Sequence, residues 1–280
     1  VIKKIISIIF QISILLLVVM LPIFKFNFDA SIILSAVALL FTILIGFFIA
    51  AATSNYLRLQ TIISNEDAIL ISIFDLVKIL QPSSEKKFRK LIDEYMIAAL
   101  DYSLLDYFET TSAELDGFLV AIDKVKPVDQ RADSLLQNLQ NLKSNIVAIR
   151  QEALVLAKRI VTAQHWFVLI SLVSIMTVIL LGLRTEDVFG SLLIGVIIIA
   201  LYQTLNLLYK IDSNEFLADR LAYEAPQKVF LAIGKTKYYP ETAIDNKKRK
   251  ILGKENYRIG IYKDFSKSME KKIRLIKAAS

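Results

Sequence analysis

Ser31–Leu80 reads SIILSAVALLFTILIGFFIAAATSNYLRLQTIISNEDAILISIFDLVKIL. Its first part, Ser31–Thr53, carries no charge over about 23 residues. At about 1.5 Å rise per residue, that length crosses a hydrocarbon core of about 30 Å. No proline or glycine follows before Pro82. The chain instead turns amphipathic, with Arg58, Glu66, Asp67, Asp75 and Lys78 interleaved among aliphatic residues. The stretch predicts one rod that begins as a membrane span and continues as a helix of a polar domain.

Three further apolar runs surround it. Ile5–Phe24 precedes it, with Pro22 in its last turn and only Lys25–Asp29 as connection. The run is longer than a signal-peptide core and lacks a small-residue cleavage site, so it is read as a span. His165–Leu183 and Val188–Tyr209 come later, joined by Arg184–Asp187. The expected architecture is all-α and integral to a membrane. Four transmembrane helices form two hairpins around a helical cytoplasmic domain. The expected divisions are a first hairpin at 1–53, an insert at 54–164, a second hairpin at 165–209 and a basic tail at 210–280. Lys3, Lys4, Arg58, Lys158, Arg159 and Lys210 flank one side of the spans; Lys25 and Arg184 flank the other. The positive-inside rule then places both termini and the insert in the cytoplasm of a multi-pass inner-membrane protein.

Composition narrows the function. The chain is 55% hydrophobic, with mean hydropathy +0.52 and net charge +7. In a membrane protein such a balance points to cytoplasmic loops and lipid headgroups rather than nucleic acid. There is no cysteine and one histidine, His165, which leaves no thiolate or His-cluster chemistry. No phosphate loop, zinc-protease motif or nucleophile elbow is present, so neither an enzyme nor a cofactor is expected.

The insert is nearly balanced, with 13 Lys/Arg against 15 Asp/Glu. Gln81–Glu85 and Lys126–Asp129 read as stops, and Thr110–Ser112 as a break with recapping. Phe88, Leu91, Ile92, Tyr95 and Met96 have helical spacing. From Asp129, Leu135, Leu139, Leu142, Ile146 and Ile149 continue a stripe into the third span without glycine or proline. A second unbroken rod over Asp129–Leu183 is expected. The tail carries 17 Lys/Arg against 9 Asp/Glu. Ile211–Ala225 reads as a helix ended or bent by Pro226, and Tyr238-Tyr239-Pro240 as an interruption. The Lys247–Lys250 cluster suits either anionic lipid or an ordinary surface.

The spans hold no interior Asp, Glu, Lys or Arg, which argues against a proton-coupled transporter but not against a passive pore. Phe41, Ile45, Phe48 and Ala52 share one face of the second span. They are either bundle core or lipid-facing residues, or a hydrophobic pore constriction. Tyr202, Asn206 and Tyr209 share a face of the fourth span and either bond between helices or line a vestibule. Asp212, Glu215 and Asp219 follow it on one helical face; a solvated surface is the plainer account than a metal site.

The order of parts resembles the bestrophin-like domain family of bacterial and plant membrane proteins, distant relatives of the bestrophin anion channels. Asn55-Tyr56-Leu57-Arg58, the Glu66-Asp67-Ala68 stretch and Asp212 carry the likeness, over about Ile5–Asp219. It implies a homo-oligomer, pentameric in true bestrophins, whose second spans surround a path for small anions, here with Phe41, Ile45 and Phe48 as neck candidates. Ser213-Asn214-Glu215-Phe216 stands where the family has Pro-Phe, and the acidic run that holds Ca²⁺ in animal bestrophins is missing. The alternative is a non-channel scaffold or signalling subunit that docks partners through Leu135, Leu139, Leu142 and Ile146.

Overall fold

The computed structural model describes residues 2–21, 26–101, 111–126, 132–184, 187–213, 225–241, 244, 255–264 and 268–278. The expected features at Pro22, Lys25, Pro127, Asp129, Glu186 and Lys247–Lys250 lie outside these residues. The described chain is mostly helical and divides into two units. One comprises residues 1–55 and 159–213, the other 56–158 and 214–280.

The apolar unit contains α1 (Ile2–Met20), the first part of α2 (Ala30–Leu80), α6 (Ala163–Gly182) and α7 (Val188–Asp212). α2 is a single helix of 51 residues, as its unbroken sequence predicts. α2, α6 and α7 are long and apolar enough to cross a membrane; α1 contributes a shorter apolar stretch, Gln11–Met20. The principal partner of α1 is α7. Gly195 lets them approach, since a Cβ there would lie 2.7 Å from Leu15. Arg184, buried between α6 and α7, donates to the carbonyls of Val18 and Leu21. Carbonyls at the C-terminal end of a helix need such donors from outside it.

The polar unit contains the rest of α2, α3 (Glu85–Asp101), α4 (Ser112–Asp123) and α5 (Asp133–Leu156). Leu70, Ile73, Phe74 and Val77 of α2 pack with Phe88, Ile92 and Tyr95 of α3, Phe118 and Ile122 of α4, and Leu139 and Ile146 of α5. The breaks at Pro82 and Thr111 fall where the sequence places them.

Two expectations fail here. The rod over Asp129–Leu183 is interrupted, because α5 ends at Leu156 and α6 starts at Ala163. The tail is not all-α. It contains a short helix, α8 (Ala225–Ala232), and a sheet of β1 (Lys237–Pro240), β2 (Tyr257–Asp264) and β3 (Ser268–Ile276). β1 pairs parallel with β2, and β2 antiparallel with β3. Pro226 lies in α8, and most of the helix expected over Ile211–Ala225 falls outside the described residues. Tyr238-Tyr239-Pro240 is a strand, with proline at the end of an edge, where no ladder bond is lost. The Gln227 side chain covers that edge: its Nε2 donates to Tyr238 O at 2.8 Å, and its Oε1 accepts from Tyr238 N at 2.9 Å.

Two carboxylates of α3 hold the tail. Asp93 accepts from Arg258 Nη1 and Nη2 at 2.9 and 2.7 Å. Asp101 accepts from the hydroxyls of Tyr238, at 2.7 Å, and Tyr262, and pairs with Lys271. Burial pushes the Lys271 ammonium down to about 8. Gly260 makes this arrangement possible, because a Cβ there would collide with the Tyr238 hydroxyl. Gly260→Val is expected to displace Tyr238 from Asp101 and to cost about 2 kcal/mol. Limited proteolysis should then release the tail at lower denaturant than in the parent protein.

Candidate functional site

The apolar part of α2 presents two contrasting faces. Phe41, Ile45, Phe48 and Ala52 point into the unit's core and are only 3–6% exposed. They pack with Leu169, Met176, Leu172 and Val173 of α6 and with Leu201, Leu205 and Leu208 of α7. Within one chain this stripe serves as bundle core. The opposite face carries Ile32, Leu39, Ile43, Gly46, Phe47 and Ala50, all exposed. Phe47 reaches 65% exposure. That face has no charged residue and no neighbour within 4 Å of a Cβ built on Gly46. An exposed apolar strip of this kind needs lipid or another subunit.

The polar end of α7 is less buried. Tyr202 and Tyr209 are exposed and Asn206 is half-buried. Tyr209 meets Trp166 edge to face at 6.3 Å, and the Arg159 guanidinium lies over its ring at 5.4 Å. Tyr209 is thus fixed by two neighbours, while Tyr202 and Asn206 are not brought into the α2 cluster.

Asp212 closes α7. Its Oδ1 accepts from the backbone N–H of Ile160 at 2.9 Å and of Val161 at 3.2 Å. These amides belong to the segment that breaks the predicted rod. α6 then starts with its own cap: His165 Nδ1 accepts from Thr162 N at 3.3 Å. The His165 ring lies 4.8 Å from that of Phe48. Asp212 is therefore committed to backbone amides. Glu215 and Asp219 lie outside the described residues. Among those described, no cluster of three metal-ligating side chains occurs. Asp212→Ala removes two charge-assisted bonds and is expected to cost about 2 kcal/mol, seen as an earlier melting transition in nanodiscs.

Comparison with known proteins decides the family. A model of the bestrophin-like domain matches residues 7–213. The chain belongs to the bestrophin-like family. Two solved structures share its fold. One is a membrane protein with 10% sequence identity and a TM-score of 0.59; the alignment covers 82% of this chain and 98% of the other. The second is a bacterial bestrophin homologue from Klebsiella pneumoniae, at 11% identity and a TM-score of 0.56, covering 82% and 95%. No curated protein matches the chain.

The bestrophin-like match ends at residue 213, one position beyond Asp212. Two features of the bestrophin-like chain escape a reading of its sequence. The amide clamp made by Asp212 joins positions about fifty residues apart, so no local pattern announces it. The buried group of Glu66, Tyr95, Thr111 and Arg150 in the polar unit is equally dispersed. The Tyr95 hydroxyl donates to Glu66, and Arg150 Nη2 donates to Thr111 Oγ1 at 2.9 Å. The stripe considered as a docking surface is largely used within the chain: Leu139 and Ile146 are buried, and Leu135 and Leu142 are half-buried against the same core.

Proposed function

We propose that this chain is the subunit of a homo-oligomeric, bestrophin-like channel for small anions, pentameric as in true bestrophins. In this reading α1, the apolar part of α2, α6 and α7 are four spans of a bacterial inner membrane. The insert and both termini are cytoplasmic. The uncovered, uncharged face of α2 carries the proposal. Ile32, Leu39, Ile43, Gly46 and Ala50 would surround a central axis when copies of α2 come together. Apolar walls of that kind pass ions when wet and close by dewetting. Phe41, Ile45, Phe48 and Ala52 would then be the packing behind the wall rather than the wall itself. Tyr202, Asn206 and Tyr209 are proposed as vestibule residues. Positive charge around such a vestibule would favour anions.

Native mass spectrometry of the protein in nanodiscs tests the assembly. A defined oligomer, with five copies expected, supports the reading. A monomer contradicts it, because four plain spans leave no room for an internal aqueous path.

A further inference from the structure

Asp67 lies on α2 within the polar unit, 9% exposed, beside Glu66 at 3%. Among the described residues its Oδ2 has no hydrogen-bond partner. Glu66 is differently placed. It accepts the Tyr95 hydroxyl, and Arg150 Nη1 stands 3.9 Å from its Oε1. Arg150 also bonds Thr111 and lies over the Tyr95 ring at 5.8 Å. The titratable groups that Asp67 meets are Glu66 on its own helix and Tyr95 on α3, and beyond Glu66 stands Arg150 on α5.

We propose that Asp67 is a proton-binding site: its carboxyl is neutral at physiological pH, and releasing the proton to solvent leaves a carboxylate that loosens α2 against α3 and α5. Burial, with a smaller push from Glu66, raises this carboxyl to about 8 from its ordinary value of 3.8. The sign follows from linkage. The folded chain keeps a proton that the unfolded chain releases above about pH 4, so this group's contribution to stability falls as pH rises from about 4 to about 8. Above that range it is constant. Asp67→Asn keeps the shape and hydrogen-bonding character of the neutral acid, so it removes the dependence instead of the fold. The inference holds whether or not the chain conducts ions.

Infrared difference spectroscopy of the full chain in nanodiscs tests it. Spectra at about pH 6 minus about pH 10 should show the carbonyl stretch of a protonated carboxylic acid, lost with a midpoint near 8. The band should be absent in Asp67→Asn and present in Glu66→Gln. The melting temperature of the parent protein should fall between about pH 4 and about pH 8, and that of Asp67→Asn should not. A band that survives in Asp67→Asn overturns the proposal, as does identical pH dependence of melting in the two proteins. Should Asp67→Asn fail to fold, the parent titration alone decides: a midpoint below about 5 overturns it.

Discussion

Arg150→Met is expected to destabilise the polar unit by about 3–5 kcal/mol, the largest single effect on its stability. Both side chains of the Arg150–Glu66 pair are at most 6% exposed. Removing the cation takes a positive charge from beside the buried Glu66 and strips Thr111 of the Nη2 donor. A surface pair behaves differently. Arg58 and Glu152 bond at 2.6 Å with both side chains well exposed, and solvent screens most of that gain away. Chemical unfolding of Arg150→Met and Arg58→Met side by side should separate the two. A Glu66→Gln background should reduce the cost of Arg150→Met, because the two effects share one interaction.

Gly46→Trp is expected to abolish most ionic current while leaving the folded subunit's stability within about 0.5 kcal/mol. Gly46 lies on the exposed face of α2, with open space beyond its Cα. An indole there meets nothing in its own chain, but narrows any axis shared by several copies. Phe48→Ala predicts the reverse emphasis. Phe48 fills the core against α6, and its ring contacts His165. Its loss opens a cavity and lowers thermal stability. The penalty stays below the 3–5 kcal/mol of a core in water, because lipid chains also solvate an apolar ring. If Phe48 lined the pore instead, Phe48→Ala would widen it and Gly46→Trp would be silent. Single-channel conductance and melting, measured on both variants, distinguish the two faces.

The helices were legible because each repeats a local pattern. α2 has no proline or glycine after Gly46, and it runs unbroken to Leu80. α3 buries Phe88, Ile92, Tyr95 and Met96, four of the residues at helical spacing. The tail was not legible. Tyr257, Ile259 and Ile261 of β2 do alternate with Arg258, Gly260 and Tyr262. In β3, however, Lys271, Lys272 and Arg274 break any apolar period, and β1 is only four residues long. Its order comes from α3, through Asp93 and Asp101. The break after Leu156 has no glycine or proline to mark it. It is stabilised from a distance by Asp212 and locally by the Thr162–His165 cap. On α2, sequence periodicity finds both faces of the span but cannot choose which one packs inward. That choice is made by α6 and α7, whose apolar residues cover Phe41 and Phe48 and leave Gly46 and Phe47 bare.

The central claim is that copies of this chain enclose an ion path lined by the outer face of α2. Current through the purified oligomer in a planar bilayer, under a chloride gradient, tests it most directly. The account predicts a conductance whose reversal potential follows chloride and which Gly46→Trp suppresses. Silence in every salt, from an oligomer whose axis is sealed or filled with lipid, would contradict it.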